Sequence, residues 1–500
     1  MVAKVRFEDA LDMTGFGKFN MLMLLLNASL ITGMAFEIFS VAYLVPANAC
    51  DLKTTNSQQG LMASVPLAGI IATSHFWGYL ADNRGRKKIL SLSMTLGFIA
   101  GFLATFSPNW IVFSILKFMS SSAVAGTFAL ALTLLGECTP SKRRSTLICL
   151  SSAVYLASTG LMAILTIPVL SLTFSYYIPY LDIHFNSWRL LNAIYTLPCV
   201  FGAVGVFFTF ESPKYLLSIG EDEKALHVLQ GMFVINNGKP REEFQVQSLT
   251  LDETSAQHVK GLWASIVSQT MPLLRPPLLK NTLLLSILFV VIYFCLNPYS
   301  VWLPYVADGF MRSIQNGDES LTFCQMMRSS QNVTMSENND CSLDKFGMVM
   351  VFAVSLLLAV MNIILSLIIN ITGRKRTLIT IQIVSGISAL SINFSSEWMV
   401  SGPLFIAFMA AITNFGLLSS FCVDIFPTYV KAMAVCLTLM VGRGSSIFGI
   451  NLLKNLLVNN CEASFYLYGG LTFAGGLIAF FLPSEAKIAS NNNKLKTMVT

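Results

Sequence analysis

Gly78-Tyr79-Leu80-Ala81-Asp82-Asn83-Arg84-Gly85-Arg86-Lys87-Lys88 separates two long apolar runs, and Asn370-Ile371-Thr372-Gly373-Arg374-Lys375-Arg376 separates two others. Aligning Asp82 with Asn370 and Gly85 with Gly373 sets the stretches 288 residues apart, since 370 less 82 is 288. A second pair of loops repeats the pattern. Glu137-Cys138-Thr139-Pro140-Ser141-Lys142-Arg143-Arg144 and Asp424-Ile425-Phe426-Pro427-Thr428-Tyr429-Val430-Lys431 are 287 apart, 424 less 137. Two independent motifs sharing one period to within a residue, each at the corresponding crossing of its half, identify a duplicated chain.

The apolar runs define the solvent of that chain. Apolar residues make up 54% of the 500 and charged residues 12%, with a mean hydropathy of +0.66. A soluble chain carries roughly a quarter charged residues, so this one cannot cover a water-exposed surface. Runs of about 20 apolar residues recur, each long enough to cross roughly 30 Å of hydrocarbon as a helix. Backbone groups without water must pair internally, and solid apolar blocks exclude the residue-by-residue alternation of a membrane barrel. The blocks predict spans at 19–45, 57–81, 88–106, 110–134, 146–170, 188–210, 280–305, 345–370, 377–395, 398–422, 432–456 and 464–482. The first run is too long for a signal peptide core and no small-residue cleavage site follows it, so it reads as a retained anchor.

Basic residues orient the spans. With both termini in the cytoplasm, Lys4, Arg6, Lys18, Arg84, Arg86, Lys87, Lys88, Lys142, Arg143, Arg144, Arg374, Lys375, Arg376 and Lys431 all fall inside. That is the positive-inside asymmetry. The net charge of +6 therefore reports topology, and nucleic acid is excluded as the explanation. Trp110, Trp188, Trp302 and Trp398 fall at outer helix ends, where an aromatic belt is expected. The outer loop 306–344 holds Cys324, Cys341 and the sequon Asn332-Val333-Thr334. An outward loop is oxidising and meets the glycosylation machinery, so a Cys324–Cys341 disulfide and a glycan on Asn332 are expected. Asn27-Ala28-Ser29 lies inside the first span and should stay bare.

The expected organisation is a cytoplasmic N-terminus (1–18), a six-helix bundle (19–210), a linker (211–279), a second six-helix bundle (280–482) and a cytoplasmic tail (483–500). The linker carries Glu221-Asp222-Glu223-Lys224 and Arg241-Glu242-Glu243; it is too short and too poor in aromatics to build its own core.

The first loop motif resembles the signature of the major facilitator superfamily, which Gly78, Asp82, Gly85, Arg86 and Lys87 match. The resemblance implies an all-α polytopic membrane protein of 12 transmembrane helices in two six-helix bundles. It implies a small solute moved by alternating access, with Asp82 pairing to the partner half while the protein is open outward. Glu137, Arg143, Gly373, Arg374, Asp424 and Lys431 complete the expected cytoplasmic latch. Arg86, Lys87 and Lys88 also serve topology alone, whereas Asp82 contributes nothing to topology.

More narrowly the chain is similar to the synaptic vesicle glycoprotein 2 branch, akin to organic ion and sugar transporters. The similarity runs through Phe7-Glu8-Asp9-Ala10, Gly15-Phe16-Gly17-Lys18-Phe19, Glu37-Ile38-Phe39, Ser187-Trp188-Arg189, Glu211-Ser212-Pro213-Lys214-Tyr215-Leu216, Val301-Trp302-Leu303-Pro304 and Phe426-Pro427-Thr428. Departures also show. The outer loop is short and the long acidic N-terminal tail is absent. Met34 stands where the branch has an acid before Glu37, and Phe415 and Ser419 replace a Trp and an Asp. An insect-type or orphan offshoot fits better than the vesicle protein itself.

Ionisable groups inside spans are costly and therefore candidates for function. Glu37 in span one, Lys117 in span four and Arg443 in span eleven stand out. The resemblance puts spans one, four, seven and ten around a central cavity. Two readings stand: the acid neutralises the cations structurally, or Glu37 meets the solute or a proton while a cation attracts an anionic group. Tyr155, Tyr293, Trp302 and Phe415 are cavity candidates as well, since ring faces suit a sugar, an organic cation or an aromatic acid. Any of them serves equally as a packing residue.

No enzyme site is legible. The histidines (His75, His184, His227, His258) are scattered, no metal-ligand spacing occurs, and no phosphate-binding loop couples ATP. No cofactor is expected. The partners expected are a small-molecule solute and the bilayer, in the plasma or a vesicle membrane, with the chain a monomer. A secondary transporter of an organic ion, sugar or carboxylate is the leading function. A non-transporting binding or regulatory protein built on a transporter fold is the rival.

Overall fold

The computed structural model describes residues 5–250, 270–276, 278–315, 317, 321–336, 344–426 and 428–483. Among these, eleven helices are long and apolar enough to cross a membrane: Lys18–Asn48, Asn56–Ala81, Arg86–Phe106, Trp110–Glu137, Thr146–Leu170, Ser187–Phe208, Leu279–Gln315, Lys345–Ile369, Arg374–Phe394, Trp398–Ser419 and Met433–Asn459. They are spans one to eleven below. Cys461–Ala479 stands where the twelfth is expected; its glycines and tyrosines dilute its apolar character below that of the others. The architecture is predominantly helical, as expected. Span seven continues beyond its predicted end, burying Val306, Ala307 and Phe310, with Arg312 paired to Asp308 one turn back at 3.1 Å.

The duplication is carried by the backbone. Arg86–Leu103 is followed by a 3-10 turn at Ala104–Phe106, and Arg374–Ser391 by one at Ile392–Phe394, each boundary displaced by 288. The next helices start at Trp110 and Trp398, again 288 apart. Gly85 and Gly373 open the paired helices at φ 97° and 84°, conformations that favour glycine because a Cβ would clash there.

Span four breaks between Val124 and Thr127. The Ser122 carbonyl near the break accepts from Trp77 Nε1 at 2.6 Å and Thr73 Oγ1 at 2.7 Å, both on span two. Gly126 leaves room for the Trp77 side chain, which a Cβ would strike. Within a bilayer an interrupted helix persists where neighbours re-pair its carbonyls. Span ten is interrupted by a 3-10 turn at Ala410–Thr413, the matching place.

The chain divides into two compact units. The first is Met1–Ser40, Gly69–Met162 and Phe174–His258; the second is Val41–Ala68, Ala163–Thr173 and Val259–Thr500. The second unit thus gathers the C-terminal ends of spans one and five and the N-terminal end of span two.

Two small sheets were not legible. Val5–Arg6 pairs in parallel with Leu249–Thr250, and Tyr176–Ile178 with Ile183–Phe185 as an antiparallel hairpin. The first ties the N-terminal segment to the linker. Helix Phe7–Met13 buries Phe7, Ala10 and Leu11, and linker helix Asp222–Asn237 presents Asn236 to the turn before span one. Asn236 accepts from the Phe19 amide at 3.0 Å and donates to the Gly15 carbonyl at 3.0 Å.

The four belt tryptophans part by their surroundings. Trp110 and Trp398 are half-buried at helix starts, but Trp188 and Trp302 are 2% and 0% exposed. They are core residues. The expected Cys324–Cys341 pairing is also corrected: Cys324 bonds Cys461, with Cα atoms 5.6 Å apart. Helix Phe323–Ser336 brings Cys324 onto the start of the twelfth helix, a proximity 137 residues away in sequence. Cys341 lies outside the described residues. Asn332 falls on that same helix, its side chain outside them too. Asn27 is 2% exposed and donates to Ser151 Oγ at 2.5 Å.

Candidate functional site

The loop after span two turns on Gly85 and delivers Arg86 and Lys87 onto the segment after span six. Arg86 Nε lies 3.4 Å from Glu137 Oε2, both side chains about one-seventh exposed. Ser212 Oγ donates to the same carboxylate. The Arg86 guanidinium sits 5.1 Å from the Tyr215 ring centre. The Lys87 amide donates to Glu211 Oε1 at 3.0 Å, and its ammonium to the Thr209 carbonyl at 2.7 Å. Tyr215 Oη donates to the Asn83 carbonyl at 3.2 Å; desolvation, then the charge of Glu211, raises its phenol above the ordinary range. Glu211, Ser212 and Tyr215 were seen in sequence only as part of a resemblance. Their partnership with Arg86 and Lys87 spans more than 120 residues and needed the fold.

Arg143 is exposed, its guanidinium 5.9 Å from the Phe16 ring centre. The neighbouring Arg144 carries the ion pair instead, to Glu8 at 2.7 Å. Glu8, Glu137, Arg144 and Lys214 line a cavity of about 330 Å³ at the same end of the unit. Gly78 is half-buried, and a Cβ there would meet nothing. Asp82 belongs to helix Asn56–Arg84; its side chain, like those of Asp424 and Lys431, lies outside the described residues.

The second unit repeats part of this geometry. Lys375, the counterpart of Lys87 at the 288-residue offset, donates to the carbonyls of Phe480 at 2.8 Å and Leu482 at 2.6 Å. Each lysine thus reaches carbonyls just past the last helix of its half. Arg374 lies 5.5 Å from the Phe421 ring centre, and Gly373 supplies the turn.

Within the spans, Glu37 and Lys117 meet at 3.3 Å, 1% and 0% exposed. Ser120 Oγ also donates to Glu37 Oε2. Glu37 Oε1 has no hydrogen-bond partner among the described residues, and Gly101 of span three packs directly against the carboxylate. Arg443 is half-buried on span eleven.

The aromatic candidates separate by surroundings. Tyr155 is half-buried against Phe39 and Phe128, at 5.8 and 5.5 Å between ring centres. Tyr293 meets Phe415 edge-on at 6.0 Å, both half-buried. Trp302 is fully buried, donating to the Ile450 carbonyl at 3.1 Å. The sequence reading missed Lys454, which is 4% exposed on span eleven beside Trp302 and Tyr305. Its signal was present, a lysine within the apolar run Asn451-Leu452-Leu453-Lys454-Asn455-Leu456-Leu457.

Helices in this duplicated arrangement, with matched glycine turns between spans two and three and between spans eight and nine, define a polytopic membrane protein of the transporter type. The model of the Major Facilitator Superfamily matches residues 25–317, and the chain belongs to that family. Its relatives fall in the synaptic vesicle glycoprotein 2-like branch. Synaptic vesicle glycoprotein 2C of Mus musculus is 24% identical over 328 residues, 60% of this chain and 44% of that protein. SVOPL of Mus musculus is 25% identical over 494 residues, 96% of this chain and 92% of that protein. The chain thus spans under half the length of the vesicle glycoprotein. Among solved structures, the partially occluded inward-open xylose transporter XylE of E. coli is similar at a TM-score of 0.66 and 14% identity. The alignment covers 93% of this chain and 100% of that one. That likeness shows the fold.

Proposed function

We propose that this chain is a secondary carrier that moves a small organic solute across a membrane by alternating access. Organic ions, sugars and carboxylates are the solute classes this reading allows. The single observation carrying the reading is the duplicated glycine-arginine-lysine turn, whose lysine in each half is tied to the end of that half's last helix. Such ties make each loop a fixed handle on its own bundle. Asp82, at the end of span two, is then free to make or release a pairing with the other half as a latch, with Arg86–Glu137 holding the loop in register. In this reading both termini and these loops face the cytoplasm, in the plasma or a vesicle membrane.

One observation favours the rival, a non-transporting binder. Glu37, the acid kept in span one, is paired with Lys117, so proton coupling through it has little support. Facilitated diffusion or exchange fits the carrier better. Proteoliposomes loaded with a sugar, an organic cation or a carboxylate separate the readings. A carrier shows counterflow of one class, slowed about tenfold or more by Asp82→Asn, as loss of one charge-assisted contact would give. A static binder shows binding and no flux in either form.

A further inference from the structure

We propose that Lys454, seated against Trp302 and Tyr305, is an anion subsite that takes the carboxylate of an organic solute. It deepens the carrier reading, on which it rests for its place in a transport cycle.

The charge of Lys454 is unlike the other buried cations. Lys117 is met by Glu37, and Arg189 donates to the carbonyls of Thr105, Ser107 and His184 at 2.8, 2.8 and 3.0 Å. Lys454 is 4% exposed, and no carboxylate or hydrogen-bond acceptor meets its ammonium among the described residues. Its neighbours are ring faces: Nζ lies 3.9 Å from the Tyr305 centre and 4.8 Å from the Trp302 centre.

The cage is built. Trp302 is wedged in the core and its indole N–H is committed to Ile450, one turn before Lys454 on the same helix. Tyr305 stands edge-on to Trp302, centres 6.1 Å apart at 75°. Ring faces offset part of the cost of burying an ammonium, but they accept none of its three N–H donors in the ordinary way. An anion with lone pairs would.

The same chemistry discriminates among solutes. A sugar hydroxyl would leave the positive charge uncompensated in apolar surroundings. An organic cation would be repelled by Lys454 and would find the rings already occupied. A carboxylate gains a charge-assisted hydrogen bond, and the half-buried Tyr305 can pack against its apolar body. The second unit holds another uncommitted polar group. Asn48 ends helix Val41–Asn48, which packs on the helix carrying both rings, and among the described residues neither of its buried amide atoms has a hydrogen-bond partner.

Thermal unfolding of the purified full chain in chloride-free buffer tests the assignment, with acetate, hexanoate and benzoate as probes. Benzamide serves as the neutral isostere and chloride as the inorganic anion. At least one carboxylate should raise the midpoint saturably, with benzamide and chloride doing so far less. Its apparent affinity should fall about tenfold or more in Lys454→Met and stay within a few-fold in Lys454→Arg. No response to any carboxylate would overturn the proposal. So would benzamide or chloride matching the best carboxylate, or equal affinity in Lys454→Met. Should Lys454→Met not fold, the comparison of carboxylate with benzamide on the unaltered chain still decides. Equilibrium binding needs no flux, so failure here is distinct from failure of counterflow.

Discussion

At the scale of single residues, Glu37 and Lys117 were legible as exceptions, because a charge in an apolar run has a cost that sequence alone reveals. Their pairing was not legible: it depends on spans one and four packing so that side chains 80 residues apart come within 3.3 Å. Gly101 packs against the carboxylate from span three. Glu37→Gln strands a buried ammonium, and breaking a buried pair costs about 3–5 kcal/mol. The thermal midpoint should therefore drop markedly, and Glu37→Gln combined with Lys117→Met should recover most of it. If the double variant unfolds no later than the single one, the pair is not what holds that site. Lys454 shows the opposite failure. Its signal lay in the apolar run, but only the fold places two ring faces on it.

Elements were legible where periodicity and punctuation agreed. The paired glycine turns were read from one alignment, and the backbone honours the 288-residue offset at helix starts, 3-10 turns and glycine φ alike. Gly85→Ala should cost roughly 1–3 kcal/mol for the positive-φ extended backbone (φ 97°, ψ 147°), and more in practice because a Cβ meets the Glu211 carboxylate. A chemical melt would show the loss, with Glu211→Ala relieving part of it. The break in span four was invisible, since Val124-Ala125-Gly126-Thr127 is an unremarkable small-residue run. Its cause sits on span two, where Trp77 and Thr73 serve the Ser122 carbonyl. Trp77→Phe keeps an aromatic ring but removes one of the two donors to the Ser122 carbonyl, leaving Thr73 Oγ1, so it should destabilise by about 0.5–1.5 kcal/mol; an unchanged melt would show that the break does not depend on this donor. The disulfide was misassigned for a related reason. Loop membership suggested Cys341, while helix Phe323–Ser336 carries Cys324 to Cys461. Reductant should lower the melting midpoint of the unaltered chain by more than that of Cys461→Ser, which keeps the separate disulfide of Cys50; equal sensitivity of both would exclude this bond as the cause.

The whole molecule was the most legible level, because membrane solvent, duplication and loop charge all constrain a chain globally. A hydrophobic block has one solution in lipid, and a repeated motif fixes its partner without any contact being known. What the sequence left open was chemistry. Three solute classes fit the aromatic and charged candidates equally; the proposed Lys454 subsite favours the carboxylates. In the carrier reading, two matched halves carry a solute through the bilayer. Counterflow in proteoliposomes, run side by side with the chain and Asp82→Asn, measures it most directly. A carrier gives transient accumulation of a labelled carboxylate in vesicles preloaded with the unlabelled compound, slowed about tenfold or more by the substitution. Binding of that carboxylate with no accumulation in either form would contradict it.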